Sequence, residues 1–382
     1  MKIVVCPDKF KGSLSSAEAS AAISRGIRSA IAARDGQMPE ILSVPMADGG
    51  EGTLSAIIGD TGRIVGLQAY DALIRAIEAH YGIKNADGTE TAVIESSDTI
   101  GLFRLSERER NPELTTSYGL GTVVADAIAR GCRHIILTVG GSATSDCGAG
   151  MLAALGYVFK DTDGNVIDTP RGKDTIRIAD IILPPTDSPV RSCRFTVLCD
   201  VDNPLLGTEG AAAVFAPQKG ADEAAVIRLD TGAAAFSETA VKLTGKDFRN
   251  EPGAGAAGGI AWAVRTFLDA ELVPGAVYVA ESVGLERHIA GADLVVTGEG
   301  KFDSQSLHGK VVGYVASLAA RHEVPVTVIC GTKGDDLSEN TLREAGIKEV
   351  HALTDHIPMQ LALKNAAVQT ERMTERVFRE KP

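Results

Sequence analysis

Aromatic residues are scarce in this sequence of 382 residues, in which they make up 4% and include a single tryptophan. That scarcity argues against a β-sandwich built around Trp and Tyr. The 41 glycines and the 44% of hydrophobic residues instead fit an α/β protein with short turns. The length exceeds that of one typical domain and predicts two.

Positively charged residues are also few, because the sequence has 38 Lys and Arg but 50 Asp and Glu, and its net charge is −12. Nucleic-acid binding needs basic patches, so we expect no nucleic-acid partner. No apolar run approaches the ~18 residues of a membrane span. Asp8 and Lys9 come too early for a signal peptide. We therefore expect no membrane association and a cytoplasmic location; the sequence leaves a homo-oligomer open.

Several familiar motifs are missing. The six cysteines form no C-x-x-C pair and predict buried free thiols in a reducing compartment. The histidines lack the spacing of a zinc site. There is no Walker loop, no G-x-S-x-G elbow and no protein-kinase signature. A literal G-x-G-x-x-G at Gly253–Gly258 follows Pro252 and not a strand, so we interpret it as a packing or substrate loop; a nicotinamide dehydrogenase is a minor alternative.

Short apolar runs rich in Val and Ile recur along the chain. Continuous apolar runs are typical of strands buried on both faces of a parallel sheet. Helix candidates lie between them, the clearest beginning at the capping box of Ser15 and Glu18. This alternation predicts a doubly wound α/β fold. The predicted strands are Lys2–Val5, Ile41–Val44, Ala92–Ile94, Ile135–Val139, Phe195–Cys199, Leu294–Thr297, Val326–Cys330 and Val350–Leu353.

The two ends of the chain share the same texture of a strand followed by a polar loop. We therefore predict that the first strand and the last four runs form one sheet, with the middle of the chain inserted. No repeat of about 20–50 residues is present, so a solenoid is not expected.

Small residues, acids and lysines follow the predicted strands. Ligands bind outside the carboxyl ends of strands in open α/β sheets, and glycine lets the backbone approach them. Backbone N–H groups and lysines suit phosphates, and carboxylates suit Mg²⁺, which is the inventory of phosphoryl transfer. Tight turns, including an Asx turn at Asp200–Asn203, are the structural alternative. The segments are 6–13, 45–53, 140–146, 200–204, 297–303 and 331–335.

Six blocks, in order, resemble the type-1 glycerate kinase family over nearly the whole length. They are MKIVVCPDKFKGSLSS at 1–16, PMADGGEGT at 45–53, GGSATSDCGAGM at 140–151, CDVDNPL at 199–205 with PQKGA at 217–221, PGAGAAGG at 252–259 and VTGEGKFDSQSLHGK at 296–310. The chain departs from the family pattern at four positions, with Lys9 for a usual Ser, Thr122 for Glu, Ser145 for Asn and Cys147 for Gly.

The resemblance implies two α/β domains, one of them a flavodoxin-like doubly wound parallel sheet built from both chain ends. We place this discontinuous domain at 1–65 and 288–382, with the inserted domain at 66–287. It also implies ATP and Mg²⁺ as cofactors, D-glycerate as substrate and 2-phosphoglycerate as product. Alternatives are a kinase for a related short hydroxy or sugar acid, a phosphatase, and a non-catalytic metabolite-binding protein.

The predicted site is assembled from these blocks. Lys11 and Lys9 would hold the glycerate carboxylate, and Asp48 would orient or deprotonate the acceptor hydroxyl. The catalytic set is Asp48, Lys11 and Asp200, and the Mg²⁺ ligands are Asp200 and Glu299. The substrate-binding set is Asp8, Lys9, Ser13, Gly49, Gly50, Glu51 and Asp303. The nucleotide-binding set is Gly140, Gly141, Ser142, Ala143, Thr144, Lys219, Gly298 and Gly300.

Overall fold

The computed structural model describes residues 1–33, 37–59, 61–86, 88–307 and 309–380. The chain divides into two compact units. Unit 1 combines Met1–Asp48 with Pro274–Pro382, and unit 2 is Gly49–Val273. The domain limits inferred from the sequence, 1–65 with 288–382, stay a prediction.

The strands and helices alternate along the chain. The strands are β1 (Lys2–Val5), β2 (Glu40–Ser43), β3 (Arg63–Tyr70), β4 (Ala76–Ala86), β5 (Thr89–Glu95), β6 (His134–Thr138), β7 (Val158–Lys160), β8 (Asp180–Ile182), β9 (Arg194–Leu198), β10 (Glu271–Val273), β11 (Leu294–Thr297), β12 (Lys301–Phe302), β13 (Val326–Cys330), β14 (Thr332–Lys333) and β15 (Ile347–Ala352). The α-helices are α1 (Ser16–Ala32), α2 (Thr53–Ile58), α3 (Ser96–Ile100), α4 (Tyr118–Ala129), α5 (Ala149–Ala154), α6 (Ala211–Phe215), α7 (Glu223–Thr244), α8 (Ala256–Leu268), α9 (Gly275–Ser282), α10 (Leu285–Ile289), α11 (Val311–Arg321), α12 (Glu339–Glu344), α13 (Met359–Lys364) and α14 (Ala366–Glu380).

Unit 1 contains a parallel sheet in the order β2-β1-β11-β13-β15. This is the flavodoxin-like order, and it confirms the predicted fold. The prediction that Phe195–Cys199 joins this sheet is wrong, because β9 belongs to the sheet of unit 2 and β2 takes a place here instead. A buried parallel strand has the same apolar composition in either sheet, so composition could not assign it.

Helix α1 begins as the capping box predicts. The Ser15 hydroxyl accepts from the Glu18 N–H, and the Glu18 carboxylate accepts from the Ser15 N–H. The buried face of α1 includes Ile23 and Ile27. A Cβ on Gly26 would clash with α14 backbone, so glycine is what allows these two helices to pack closely.

Unit 2 is built on a mixed sheet in the order β10-β9-β6-β5-β4-β3. Strands β3 and β4 are antiparallel additions at one edge. The sequence analysis missed both, because their residues alternate between exposed and buried positions instead of forming apolar runs. Trp262 packs edge-to-face on Phe236 in the core of this unit. Within the described ranges, no helix is long and apolar enough to cross a membrane.

Candidate active site

The loops that follow β1 and β11 lie at the centre of the unit 1 sheet. These strands are neighbours where the strand order reverses, and ligands bind at that position in open α/β sheets. The Asp8 N–H donates to the Gly298 carbonyl at 2.8 Å, and the Thr297 hydroxyl donates to the Cys6 carbonyl at 2.9 Å. A Cβ on Gly298 would clash with the Ile329 carbonyl oxygen. The two loops are therefore fixed against each other.

Acidic side chains and one lysine meet in these loops. Lys9 Nζ donates to Asp48 Oδ1 at 2.7 Å, so the end of β1 is joined to the segment that follows β2. Asp8 Oδ1 accepts from the Lys9 backbone N–H, also at 2.7 Å. Both partners of the ion pair are largely buried, and Asp8 is buried. The structure thus brings together three residues that the sequence predicted for the acceptor site.

Burial changes the acidity of this cluster. It raises the pKa of Asp8 to about 7, the charge of Asp48 adds to that rise, and Lys9 opposes it. Burial also raises the pKa of Glu299 to about 7, while a hydrogen bond from Ser306 opposes the rise. Within the described residues, Glu299 Oε1 is buried and has no hydrogen-bond partner. Burial is the main cause of both rises, and a cation bound here would favour the ionised carboxylates.

Other predicted residues of unit 1 serve local turns. The Ser13 hydroxyl donates to the Phe10 carbonyl at 2.9 Å. Asp303 pairs with Lys301 at 2.9 Å, and that interaction holds the pKa of Asp303 below its usual range. Lys11 is exposed beside Gly300, whose carbonyl accepts from the Thr332 N–H. Their contacts with substrate or nucleotide stay predictions.

In unit 2, the glycine-rich segment 140–146 follows β6. Lys219 Nζ donates to the Thr144 carbonyl at 2.6 Å and lies 3.3 Å from the Ser142 hydroxyl. The Leu102 N–H donates to the Gly141 carbonyl at 2.8 Å. The backbone of this loop is therefore tied to the segment after α3 and to a buried lysine.

Asp146 anchors the same loop and was missed as a site residue by the sequence analysis. Its Oδ2 accepts from the Ser117 N–H and hydroxyl, at 2.7 and 2.8 Å, and from the Gly150 N–H at 3.2 Å. Its Oδ1 accepts from the Gly148 N–H. Burial raises the pKa of Asp146 although these donors oppose the rise. An acid in a run of small polar residues was the available signal.

The G-x-G-x-x-G segment is a packing turn at the start of α8. The φ angles of Gly258 and Gly259 are +66° and +90°. A Cβ on Gly258 would clash with the Thr144 carbonyl, and the Cys147 N–H donates to the Gly258 carbonyl at 3.0 Å. The segment therefore supports loop 140–146 and does not form a strand–turn–helix dinucleotide motif. Cys147 itself has φ of +52°, a conformation that suits the glycine usual in the family pattern.

The ends of β5 and β6 meet the segment that follows Asp48. Glu95 Oε1 accepts from the Gly52 and Leu54 N–H groups, at 3.0 and 2.8 Å, and burial raises the pKa of Glu95. A Cβ on Gly140 would lie 3.3 Å from the Gly50 Cα. The sequence analysis missed Glu95. Among the described residues, buried hydroxyls without a hydrogen-bond partner near these strand ends are those of Thr53, Ser96, Thr138, Thr144 and Ser145.

The remaining predicted metal ligand, Asp200, is exposed just after β9. Its neighbour Asn203 donates through Nδ2 to the Glu209 carbonyl at 2.8 Å, which is a turn role. Across the described residues, no group of three or more His, Cys, Asp or Glu side chains has the arrangement of a metal site. Mg²⁺ often takes only one or two carboxylates together with substrate phosphates, so Asp200 and Glu299 stay predicted ligands.

Comparison with known proteins decides between the alternatives. The model of the glycerate kinase family matches residues 3–381. The chain belongs to the glycerate kinase family. It is 40% identical to the glycerate kinase of Bacillus subtilis (strain 168), covering 97% of this chain and 95% of that protein. It is 41% identical to the glycerate 2-kinase of Escherichia coli (strain K12), covering 94% and 91%.

A solved structure agrees with this assignment. A crystal structure from Salmonella typhimurium LT2, provisionally described as glycerate kinase 2, superposes with a TM-score of 0.84 at 38% identity. The superposition covers 99% of this chain and 97% of that one. This member of the family is therefore a kinase and takes a nucleotide substrate. The dehydrogenase, phosphatase and non-catalytic binding alternatives are set aside.

Proposed function

We propose that this kinase transfers the γ-phosphoryl group of ATP to D-glycerate and forms 2-phosphoglycerate. Family membership over residues 3–381 supports the reaction class. The observation that carries the acceptor site is the cluster of Asp8, Lys9, Asp48 and Glu299 at the centre of the unit 1 sheet. The acids of this cluster can accept a hydrogen bond from an acceptor hydroxyl, and Lys9 and Lys11 are the cations of the same loop that could hold a carboxylate.

The acceptor roles follow from charge and reach. Exposed Lys11 binds the carboxylate of glycerate, and Lys9 contributes to the same positive field. Asp48 accepts a hydrogen bond from the acceptor hydroxyl and takes its proton. Lys9 holds the Asp48 carboxylate in place through the 2.7 Å ion pair. Holding a reactant in one orientation supplies a large share of the rate enhancement in such reactions.

The nucleotide role belongs to the loop 140–146. Gly140 and Gly141 are exposed and present backbone that suits phosphate oxygens, while Ser142 and Thr144 are buried and shape the turn. Mg²⁺ fits the acidic residues, because Glu299 presents a buried oxygen without a partner among the described residues. Glu299 would hold the ion in unit 1, and the metal role predicted for Asp200 in unit 2 stays a separate proposal. When bound, the ion supplies neutralisation of charge on the phosphates.

The proposed reaction balances without a covalent enzyme intermediate. The hydroxyl oxygen of glycerate bonds to the γ-phosphorus, and the bond from that phosphorus to the β–γ bridging oxygen breaks. ADP leaves with the electron pair of the broken bond. The hydroxyl proton passes to the Asp48 carboxylate. The protein therefore acts by positioning and by charge, as in other phosphoryl transfers.

Substitution of Asp48 tests the assignment of the base. Asp48→Asn keeps an oxygen that can accept from Lys9 but cannot take a proton. We expect kcat to fall by about 10²–10⁴-fold, with the KM for ATP little changed. Asp247→Asn is the matched control, since that exposed carboxylate of unit 2 pairs locally with Arg249. A folded Asp48→Asn enzyme with near-normal kcat would remove Asp48 from the chemistry.

A related short hydroxy acid is a second candidate acceptor. The observation that favours it is Lys9, which adds a cation next to Asp48 at a position where the family pattern usually has Ser. An added cation favours an acceptor with more negative charge. Comparing kcat/KM for D-glycerate, L-glycerate, hydroxy-dicarboxylic acids and sugar acids would decide. A dicarboxylic acid preferred over D-glycerate would replace the first proposal.

A further inference from the structure

Lys219 is a buried cation at the end of a short helical turn, Pro217–Lys219. Its side chain is 2% exposed. The ammonium group donates to the Thr144 carbonyl at 2.6 Å and lies within hydrogen-bond distance of the Ser142 hydroxyl. An ammonium group has three donors, and here two of them contact the glycine-rich loop. Two of its three N–H donors therefore bind groups of the protein and not a ligand.

Burying the Lys219 ammonium group costs free energy, because a cation is removed from water, so we ask what the buried charge does. Desolvation lowers the pKa of Lys219 to about 8. The titratable groups that face it are Asp146 and Cys147, and both oppose that decrease. Asp146 in turn accepts four hydrogen bonds from the backbone and side chain around the loop. A cation and an acid thus hold the two ends of one short segment.

Gly258 also lies against this segment. A Cβ on Gly258 would clash with the same Thr144 carbonyl that accepts from Lys219. The lysine and the turn at Gly258 therefore both pack against the Thr144 carbonyl of this loop. A residue whose main task was to contact phosphate would keep its donors accessible at the surface of the loop, and Lys219 does not.

We propose that Lys219 is a positioning residue, which holds the loop 140–146 through the Thr144 carbonyl and the Ser142 hydroxyl and acts on the nucleotide through that loop without touching its phosphates. The inference rests on the proposed function, in which this loop contacts ATP. It assigns Lys219 a different role from the direct phosphate contact that the sequence predicted. It also gives the G-x-G-x-x-G turn a function, as a second support that packs against the Thr144 carbonyl.

The test compares Lys219→Met with Lys242→Met, which changes an exposed lysine on α7 of the same unit. Hydrogen exchange of a peptide covering 140–147 is measured in the enzyme without nucleotide. We expect exchange in Lys219→Met to rise by about tenfold or more, and no change in Lys242→Met. Kinetics should show the KM for ATP raised by about tenfold and the KM for glycerate unchanged.

Each other result overturns a stated part of the proposal. Unchanged exchange in Lys219→Met together with a raised KM for ATP would make Lys219 a direct phosphate ligand. Unchanged exchange and unchanged KM would make it a bystander. If Lys219→Met does not fold, acylation of the wild-type enzyme replaces it: slow labelling of Lys219 with or without ATP supports positioning, and labelling that ATP blocks refutes it. If ATP does not slow hydrogen exchange of the loop in the wild type, the proposed contact between the loop and ATP is wrong, whatever the Lys219 variant shows.

Discussion

Asp8 should destabilise the folded protein at neutral and alkaline pH. Burial raises its pKa from 3.8 to about 7, so the folded state keeps a proton that the unfolded state has already released. The stability that comes from the protonated form is complete below 3.8 and is lost as pH rises to about 7. Asp8→Asn removes the titration while keeping an oxygen that can accept from the Lys9 N–H.

The magnitude follows from the size of the shift. A rise from 3.8 to about 7 corresponds to an upper limit of ~4 kcal/mol at about 1.4 kcal/mol per pKa unit. By linkage the loss of stability equals the shift in pKa, so a pKa of about 7 in the folded state implies the full ~4 kcal/mol. The free energy of unfolding should fall with pH only between the two pKa values. Above about pH 7 the penalty should be constant.

Urea unfolding followed by circular dichroism measures this effect, in buffer with a chelator to remove divalent cations. At about pH 8, Asp8→Asn should exceed the wild type in free energy of unfolding by ~4 kcal/mol, and at about pH 5 by less than ~2 kcal/mol. Asp303→Asn is the control, since its partner Lys301 holds the pKa of Asp303 down and no gain is expected at alkaline pH. An Asp8→Asn protein no more stable than wild type at about pH 8 would refute the burial argument.

Two further predictions follow from the site geometry. Gly258→Ala should lower the free energy of unfolding by ~2–4 kcal/mol, because a Cβ there clashes with the Thr144 carbonyl. Gly245→Ala is the control, since Gly245 has a similar φ but open space around it, and it should cost only ~1 kcal/mol. Urea unfolding of both variants measures the two costs, and equal costs would contradict the prediction. Lys9→Met should shift the loss of stability that Asp8 causes to higher pH, because the Lys9 charge lowers the pKa of Asp8. Urea unfolding across about pH 5–9 checks this, and an unshifted loss would contradict it.

The parallel core of unit 1 was the part of the fold most open to sequence reasoning. Its strands β1, β11 and β13 are buried on both faces, and their apolar runs were predicted with the bounds that the structure shows. The edge strands β3 and β4 could not be found in this way, since alternate side chains face solvent. Sheet membership is a further limit, as β9 demonstrates, because composition is the same in either sheet.

The candidate site was predicted as a set of segments and not as a set of contacts. The glycines and acids after each strand indicated candidate loops, and Lys9 does contact Asp8 and Asp48, while the roles of these residues stay predictions. Glu95 and Asp146 were missed because their roles consist of accepting backbone N–H groups from segments distant in sequence. Such roles depend on tertiary placement, which residue type alone does not encode.

Lys219 is a residue whose importance the sequence indicated but whose burial it did not. A lysine in a loop near a glycine-rich segment is typical of phosphate binding, and the sequence carried no sign that it would be buried. Only the fold reveals that its ammonium group contacts the Thr144 carbonyl. The distinction between touching a ligand and shaping the loop that touches it is therefore a structural one.

The most direct test of the central claim is a single reaction mixture. The purified enzyme is given Mg²⁺, ATP and D-glycerate; ADP is followed by a coupled assay and the phosphorylated product is identified by NMR. The account predicts ADP and 2-phosphoglycerate in equal amounts, with no ADP when glycerate is left out. No ADP from a folded sample, or ADP without a phosphorylated glycerate, would contradict the assignment, and 3-phosphoglycerate would contradict the proposed orientation of the acceptor.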